Sequence, residues 1–316
     1  MEMRRLGKSE VRVVPLMLGG NVFGWTMDEA QSFAVLDAFA ERGGNLIDTA
    51  DVYSLWAPGN RGGESETILG RWMNARQNRD RMVVATKVGM DMGDGKVGLS
   101  KRYIVQAAED SLRRLQTEYI DLYQSHRDDE GTPLEETLEA FQRLMEAGKV
   151  RMIGASNYKG ARLTAAMEMA EKSGLPMYQT LQPEYNLYDR KEYETDLAPV
   201  AERFGLSVVP YVSLASGFLT GKYRSLEETK GKKRGSRVEK YFDERGMRIL
   251  KALDEVAGET GAKQASVALA WLLAQPTVLA PIASATSVDQ VESLFRALEL
   301  RLTAEQMGQL EAASAF

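Results

Sequence analysis

Four side chains with complementary acid–base chemistry stand at the ends of three consecutive apolar segments. Asp48 ends one segment, Lys87 ends the next and His126, the single histidine of the chain, ends the third. Tyr53 follows Asp48 by five residues. If the segments are neighbouring parallel strands, their ends meet at one edge, so these side chains would converge on one substrate.

This set predicts the reduction of a carbonyl group. A free tyrosine has a pKa of about 10, which is high for proton donation near neutral pH, and a nearby ammonium group lowers it. Lys87 is predicted to lower the pKa of Tyr53, with Asp48 holding Lys87 in place. His126 would donate a hydrogen bond to the carbonyl oxygen. Each residue alone also fits a structural role, as an ion pair, a loop aromatic or a core imidazole.

The elements that must position these residues alternate along the whole chain. The helix predicted at 133–147 has Pro133 at its start, flanked by Thr132 and Glu135 in the spacing of a capping box. Nearly continuous apolar runs are typical of parallel strands that are buried on both faces. Eight candidate strands, most of them runs of this kind, are found at residues 16–20, 45–50, 82–87, 121–126, 150–156, 177–182, 207–214 and 277–283.

Eight strands followed by helices predict an α/β fold, a (β/α)8 TIM barrel with extra C-terminal helices. An open doubly wound sheet is the alternative, but no linker divides the chain, so residues 1–316 are interpreted as one domain. Residues 1–15 are predicted to form a hairpin, and 215–242 a long basic loop. Two helices are predicted at 243–260 and 264–275.

Composition excludes several classes of function. The net charge of −5 argues against nucleic-acid binding, and the absence of cysteine excludes disulfides and thiolate metal sites. With one histidine, no metal site is expected. No signal or transmembrane segment is recognised, so a cytoplasmic protein without membrane contact is predicted. The sequence Gly-Asp-Gly-Lys-Val-Gly at 93–98 matches a dinucleotide-binding pattern but lies past a strand end, and is interpreted as a surface loop.

Seven short motifs are spread along the chain, at Gly44–Tyr53, Gly63–Glu66 with Leu69-Gly70, Ala85–Lys87, Ser125-His126, Gly154–Asn157, Gln182–Asn186 and Leu219–Tyr223. With these motifs in this order, the chain resembles the aldo-keto reductase superfamily over essentially its whole length. The pattern is most similar to bacterial reductases related to the β subunits of voltage-gated potassium channels.

The resemblance implies a catalytic tetrad of Asp48, Tyr53, Lys87 and His126, with Tyr53 as the general acid/base. It also implies an extended NADP(H) across the top of the barrel. Ser156, Asn157 and Gln182 would bind the nicotinamide amide, and Tyr211 would stack on the ring. The pyrophosphate and adenosine would be bound by Leu214, Gly217, Leu219, Gly221, Lys222, Arg237 and the segment from Ser284 to Gln290.

The chain departs from the family pattern at the cofactor. Val212-Ser213-Leu214 replaces the Ser-Pro-Leu of many members, and Ser284-Ala285-Thr286 and Ser293-Leu294 replace Gly-Ala-Ser and Glu-Asn. NADP(H) is the predicted cofactor, and these differences leave NAD(H) open.

A run of basic residues suggests a mobile clamp on the cofactor phosphates. A solvated surface loop is the alternative, and Arg237 is the residue of the run that is favoured as a phosphate ligand. The residues of the run are Lys230, Lys232, Lys233, Arg234, Arg237 and Lys240.

The sequence says less about which residues contact the substrate. Trp25 and Trp56 are candidates for an aromatic wall beside the carbonyl, although both fit equally as loop packing. The leading hypothesis is an oxidoreductase acting on aldehydes, ketones or the corresponding alcohols. The alternatives are a cofactor-binding regulatory subunit with weak reductase activity, and a hydrolase or lyase on the same barrel. A small-molecule substrate is expected, and the sequence leaves open whether the chain forms homo-oligomers.

Overall fold

The strands of the computed structural model, which describes residues 2–232 and 235–316, form a small hairpin and one large parallel sheet. Strands β1 (Arg4–Arg5) and β2 (Arg12–Val13) pair antiparallel, as predicted. The other eight strands form a parallel sheet in the order β10-β3-β4-β5-β6-β7-β8-β9 within the described residues. They are β3 (Met17–Gly19), β4 (Leu46–Asp48), β5 (Val83–Val88), β6 (Ile120–Ser125), β7 (Val150–Ser156), β8 (Thr180–Gln182), β9 (Ser207–Val208) and β10 (Ile282–Ala283).

The segment leading into β10 closes the sheet into a barrel. Val208 at the end of β9 accepts a hydrogen bond from Leu279 and donates one to Thr277, at 2.8 and 3.0 Å between N and O. On the other side, β10 pairs with β3. The predicted (β/α)8 barrel is therefore confirmed, although the eighth predicted strand at 277–283 is regular only at its last two residues.

Helices cover the outside of the barrel, because apolar side chains on their inner faces pack against the sheet. The strand-to-helix alternation of the sequence is reproduced in full, and the two helices expected before the last strand are present. The helices are α1 (Glu29–Glu41), α2 (Glu64–Arg76), α3 (Lys101–Leu115), α4 (Leu134–Glu146), α5 (Gly160–Ser173), α6 (Ala198–Phe204), α7 (Gly235–Val238), α8 (Glu244–Thr260), α9 (Gln264–Leu273), α10 (Val288–Glu299) and α11 (Ala304–Ser314). None of the helices in the described ranges is both long and apolar enough to cross a membrane.

The predicted capping box at the start of α4 is wrong. The helix begins after Pro133, and its first turn receives no capping bond from Thr132 in the described structure. The Thr132 hydroxyl instead donates to Asp129, whose carboxylate also accepts from the backbone of Leu99 and Gly131. The Thr132 hydroxyl is therefore bonded to the carboxylate that organises the preceding loop, and it does not cap the helix.

The hairpin closes the barrel at the N-terminal ends of the strands. Leu6 and Val13 are buried in the interior cluster together with Met17, Leu46 and Leu122. The hairpin backbone also donates to side chains that precede or begin β8 and β9, from Gly7 to Ser207 and from Lys8 to Gln179. The opposite end, where Asp48, Lys87 and Gln182 lie, is left for the site.

Candidate active site

Asp48 and Lys87 form a buried ion pair between neighbouring strands. Asp48 ends β4 and lies opposite Ala85 of β5, so Lys87 reaches across the strand ends. Its Nζ lies 2.6 Å from Oδ1 of Asp48 and donates to the carbonyl of Thr49 at 2.9 Å. Both side chains are almost fully buried. A buried charge of this kind persists only when it is paired and hydrogen-bonded, and both conditions are met here.

Tyr53 completes a triangle with this pair. Its hydroxyl donates to Oδ2 of Asp48 at 2.8 Å and accepts from Nζ of Lys87 at 2.9 Å. The turn that carries it is held by the next residue: Ser54 has a left-handed backbone with φ of 73° and donates from its hydroxyl to Phe23. The phenol is therefore fixed between an ammonium and a carboxylate.

His126 brings the lone imidazole to the same place. It follows β6, and its backbone donates to Val88 at 2.8 Å. Its ring centroid lies 5.9 Å from that of Tyr53. Nδ1 is buried and has no hydrogen-bond partner in the described part of the chain. The structure thus brings together all four residues that the sequence singled out.

The electrostatics of the free site differ from the prediction for Tyr53. Burial, reinforced by the carboxylate of Asp48, raises its pKa well above the ordinary value. The expected lowering of this pKa by Lys87 is wrong for the free site, because burial and the carboxylate that accepts from the phenol both disfavour the phenolate. Burial lowers the pKa of Lys87, opposed mainly by Asp48. Burial and the charge of Lys87 lower the pKa of His126 well below its usual range, so the imidazole is neutral near pH 7.

A second buried carboxyl group lies behind the tetrad. Asp51 is 2% exposed, and neither of its carboxyl oxygens has a hydrogen-bond partner among the described residues. Burial raises its pKa to about 8, and the nearby charge of Glu66 adds to the increase. Glu66 itself is paired with Arg114 at 2.6 Å and accepts from Thr86 at 2.5 Å. Asp51 lies within the family motif quoted above, but nothing in the sequence marked it as an unpaired acid.

A cavity of about 710 Å³ extends from the tetrad across the top of the barrel. Tyr53, Asp48 and His126 line one part, and Lys87 lies beneath the surface. Most of the residues expected to bind the cofactor line the rest. They are Ser156, Asn157, Gln182, Tyr211, Leu214, Gly217, Lys222, Arg237, Ser284 and Gln290.

Two of the expected cofactor residues do not line the cavity. Leu219 is fully buried in the hydrophobic core, where its apolar side chain packs with the helices. Gly221 has φ of 70°, and a Cβ there would meet Oε1 of Gln264 at 1.6 Å. Gly221 is therefore needed for close packing beneath the loop, and its neighbours Thr220 and Lys222 face the cavity.

The residues expected at the nicotinamide form a hydrogen-bonded chain that reaches the tetrad. Gln182 donates from Nε2 to Oδ1 of Asp48 at 3.0 Å. Ser156 donates from its hydroxyl to the carbonyl of Gln182 at 2.8 Å. The hydroxyl of Tyr211 donates to Oδ1 of Asn157 at 2.7 Å. A ligand that binds this wall therefore meets groups already connected to the carboxylate of Asp48.

The loop after β9 has an unusual backbone. Val212, Ala215 and Ser216 have φ of 53°, 47° and 57°, a left-handed region that costs energy for a β-branched residue such as valine. The loop is held by side chains, since Asn186 donates to the carbonyl of Val212 and Ser213 donates to that of Pro210. Strain retained at this cavity wall is typical of a ligand-binding segment.

The basic run divides into different environments. Lys232 and Arg237 line the cavity, whereas Lys230 pairs with Glu227. Lys240 lies 3.2 Å from both Glu184 and Asp189, so these carboxylates neutralise its charge and it is not expected to bind a phosphate. Lys233 and Arg234 lie outside the described residues.

The two tryptophans lie on one side of Tyr53. Trp56 lines the cavity, is 42% exposed and has its ring centroid 6.1 Å from that of Tyr53. Trp25 is not part of the lining, but its ring packs edge-to-face against Trp56 at 5.6 Å. Val22 and Thr26 complete this uncharged wall.

The sequence reasoning missed Asn21 and Lys263, two of the polar residues that line the cavity, and it also missed Thr26 in the wall beside Trp56. Asn21 accepts a hydrogen bond from Ser284 at 2.7 Å, and Lys263 donates to Ser293 at 2.9 Å. The replacement at Ser293 was visible in the sequence. Its partner Lys263 directly precedes another helix, α9, and no local pattern connects the two positions.

Comparison with known proteins agrees with this geometry. The profile of the Aldo/keto reductase family matches residues 15–315. An uncharacterized oxidoreductase, YrpG, of Bacillus subtilis (strain 168) is 38% identical over 96% of this chain and 93% of its own length. A probable voltage-gated potassium channel subunit beta of Oryza sativa subsp. japonica is 32% identical over 99% and 96% of the two chains. The L-glyceraldehyde 3-phosphate reductase of Escherichia coli O157:H7 is 31% identical over 98% and 92%. A match of this extent, on a barrel that assembles the four residues, means that the chain belongs to the aldo/keto reductase family and is an oxidoreductase.

Proposed function

We propose that the protein reduces aldehydes or ketones, or oxidises the corresponding alcohols, with NADP(H) as its cofactor and Tyr53 as the general acid/base. The observation that carries the proposal is the position of the Tyr53 hydroxyl, which contacts Lys87 and Asp48 in a cavity also lined by His126. The chain would act as a single domain, since one barrel contains every residue of the site.

The cavity has the chemistry that a nicotinamide dinucleotide requires. Hydrogen-bonding groups of Asn157 and Gln182 and the ring of Tyr211 lie next to the tetrad. The described lining carries four cations, and its one carboxylate is that of Asp48 in the tetrad. Cationic side chains suit the phosphates of such a cofactor. When bound, NADP(H) supplies or accepts the hydride.

The chain's own residues would handle the proton. In the direction of reduction, Tyr53 transfers its hydroxyl proton to the substrate oxygen. The ammonium of Lys87, 2.9 Å from the phenol oxygen, stabilises the phenolate that remains. Asp48 keeps Lys87 in place, and the neutral imidazole of His126 donates a hydrogen bond that orients the carbonyl.

The substrate is proposed to be uncharged near its carbonyl. The wall formed by Val22, Thr26 and Trp56 carries no charged side chain in the described structure, and the cations lie with the cofactor residues. An aromatic or apolar group on the aldehyde suits the exposed face of Trp56. Aromatic aldehydes are therefore the first substrates to test.

Replacing Tyr53 with phenylalanine tests the acid assignment. Tyr53→Phe should lower kcat/KM for an aromatic aldehyde by about 10²- to 10⁴-fold, the usual contribution of a positioned acid. The dissociation constant for NADPH, measured by ligand fluorescence, should stay within about threefold of the original value, because no binding contact is expected to be lost. Tyr188→Phe is the matched control, since it removes a hydroxyl that donates to Asp243 away from the cavity.

The outcome also separates the proposal from its alternatives. Turnover that survives Tyr53→Phe would refute the acid role. A protein that binds NADPH but reduces no carbonyl would favour a regulatory subunit, the role that the name of the rice relative gives for that protein. A protein that binds neither NADPH nor NADH would favour a hydrolase or lyase.

A further inference from the structure

The cavity carries more positive charge than the pyrophosphate of a dinucleotide requires. Lys222, Lys232, Arg237 and Lys263 line it, and the carboxylate of Asp48 is already neutralised by Lys87. A pyrophosphate brings about two negative charges, and a phosphomonoester brings nearly two more near pH 7. Four cations therefore match a dinucleotide with an additional phosphate on its ribose.

The cations are not equivalent in position. Lys222 lies against the left-handed loop, where a Cβ on Gly217 would meet its Cε at 3.0 Å. Lys263 directly precedes α9 and lies across from the first turns of α10, where it contacts Ser293. Gln290 on the same face of the cavity is drawn toward Thr286, whose backbone donates to its Oε1. Lys263 thus belongs to the end of the cavity formed by α9 and α10.

The hydrogen bonds of Lys263 leave it available to an anion. The hydroxyl proton of Ser293 is directed at the carbonyl of Asp289, so its oxygen accepts from Nζ of Lys263 at 2.9 Å. An ammonium has three donors, and this is the one hydrogen bond that Nζ makes within the described residues. No carboxylate pairs with it in that part of the chain, in contrast to Lys230 and Lys240. Ser293 therefore positions the ammonium without neutralising it.

We infer that Lys263, positioned by Ser293, binds the 2′-phosphate of the adenosine ribose and makes the enzyme select NADP(H) over NAD(H). This inference rests on the proposed function, because it assumes that a nicotinamide dinucleotide occupies the cavity. It assigns the selectivity to the side chain that directly precedes α9, outside the segment from Ser284 to Gln290 and the basic run, where the sequence analysis expected the adenosine contacts.

The test measures dissociation constants for NADPH and NADH separately by ligand fluorescence. Lys263→Met should weaken NADPH binding by about 10- to 100-fold, the usual range for a charge-assisted hydrogen bond, and change NADH binding by less than about threefold. Lys263→Arg should retain the preference. Ser293→Glu should reduce it, because a carboxylate beside Lys263 would neutralise the ammonium. Lys251→Met, on the exposed face of α8, is the matched control and should change neither constant.

The outcomes distinguish this inference from the proposed function. Equal losses for both cofactors would overturn it, because Lys263 would then serve a part that the two share. Unchanged binding of NADPH in both Lys263→Met and Ser293→Glu would overturn it as well, while leaving the proposed function intact. A wild-type protein that binds neither cofactor would overturn the proposed function itself.

Discussion

Replacing Asp51 with asparagine should change how the stability of the protein depends on pH. The side chain is buried without a hydrogen-bond partner in the described structure, and its pKa is raised from 3.8 to about 8. An asparagine side chain has nearly the same shape and no proton to release. Between those pH values, folded Asp51 keeps a proton that the unfolded chain has lost. A rise in pH therefore favours unfolding.

The size of the effect follows from the shift. Each pH unit within the window changes the free energy of unfolding by about 1.4 kcal/mol for one proton. Across the window of roughly four units, Asp51 lowers the stability by about 6 kcal/mol, comparable to the net stability of many proteins. The advantage of Asp51→Asn over the original protein should thus grow from pH 5 to pH 8 and become constant above it.

Urea denaturation at fixed pH values from 5 to 9 measures this difference. Asp94→Asn, a matched change in an exposed loop, should leave the pH dependence as it is in the original protein. A stability difference between Asp51→Asn and the original protein that does not vary between pH 5 and 8 would refute the reasoning. It would mean that Asp51 is ionised in the folded state and that its charge is compensated there.

Three further predictions concern the tetrad and the substrate wall. Lys87→Met should lower kcat by at least about 10²-fold and destabilise the fold by about 3–5 kcal/mol, since Asp48 stays buried without its cation; normal stability would contradict the ion-pair argument. Trp56→Ala should raise KM for aromatic aldehydes about tenfold while leaving NADPH affinity unchanged, and an equal effect on small aliphatic aldehydes would argue against an aromatic contact. Burial lowers the pKa of His126 well below its ordinary value, so kcat/KM should show no inflection near pH 6.5. An inflection at that pH which His126→Gln abolished would show that the imidazole titrates there.

The sequence predicted the barrel because each level of the pattern agreed. Strand β5 is buried along its whole length, and four of its six residues, Val83, Val84, Ala85 and Val88, are apolar, so its sequence fits a strand of a buried parallel sheet. Parallel strands place their ends at one edge, so Asp48, Lys87 and His126 could be expected to meet before any coordinates were known.

What the sequence could not supply were contacts between distant elements. Lys263 directly precedes α9 and Ser293 lies on α10, and the hydrogen bond from Thr132 to Asp129 depends on how a loop folds. Leu219 and Gly221 lie within a motif near the cavity, but the backbone turns them into the protein. The pKa of Tyr53 depends on its burial and on the carboxylate that its hydroxyl faces, and the spacing of residues in the sequence determines neither.

The hairpin at the base of the barrel determines by which route reactants can enter and leave the site. With Leu6 and Val13 filling one end, we expect reactants to approach Tyr53 from the strand-end mouth, where the loops lie. An aldehyde held against Trp56 would then share its exit with the dinucleotide. The loops at this mouth can change in sequence and admit new substrates, while the end of the barrel that the hairpin closes maintains the fold.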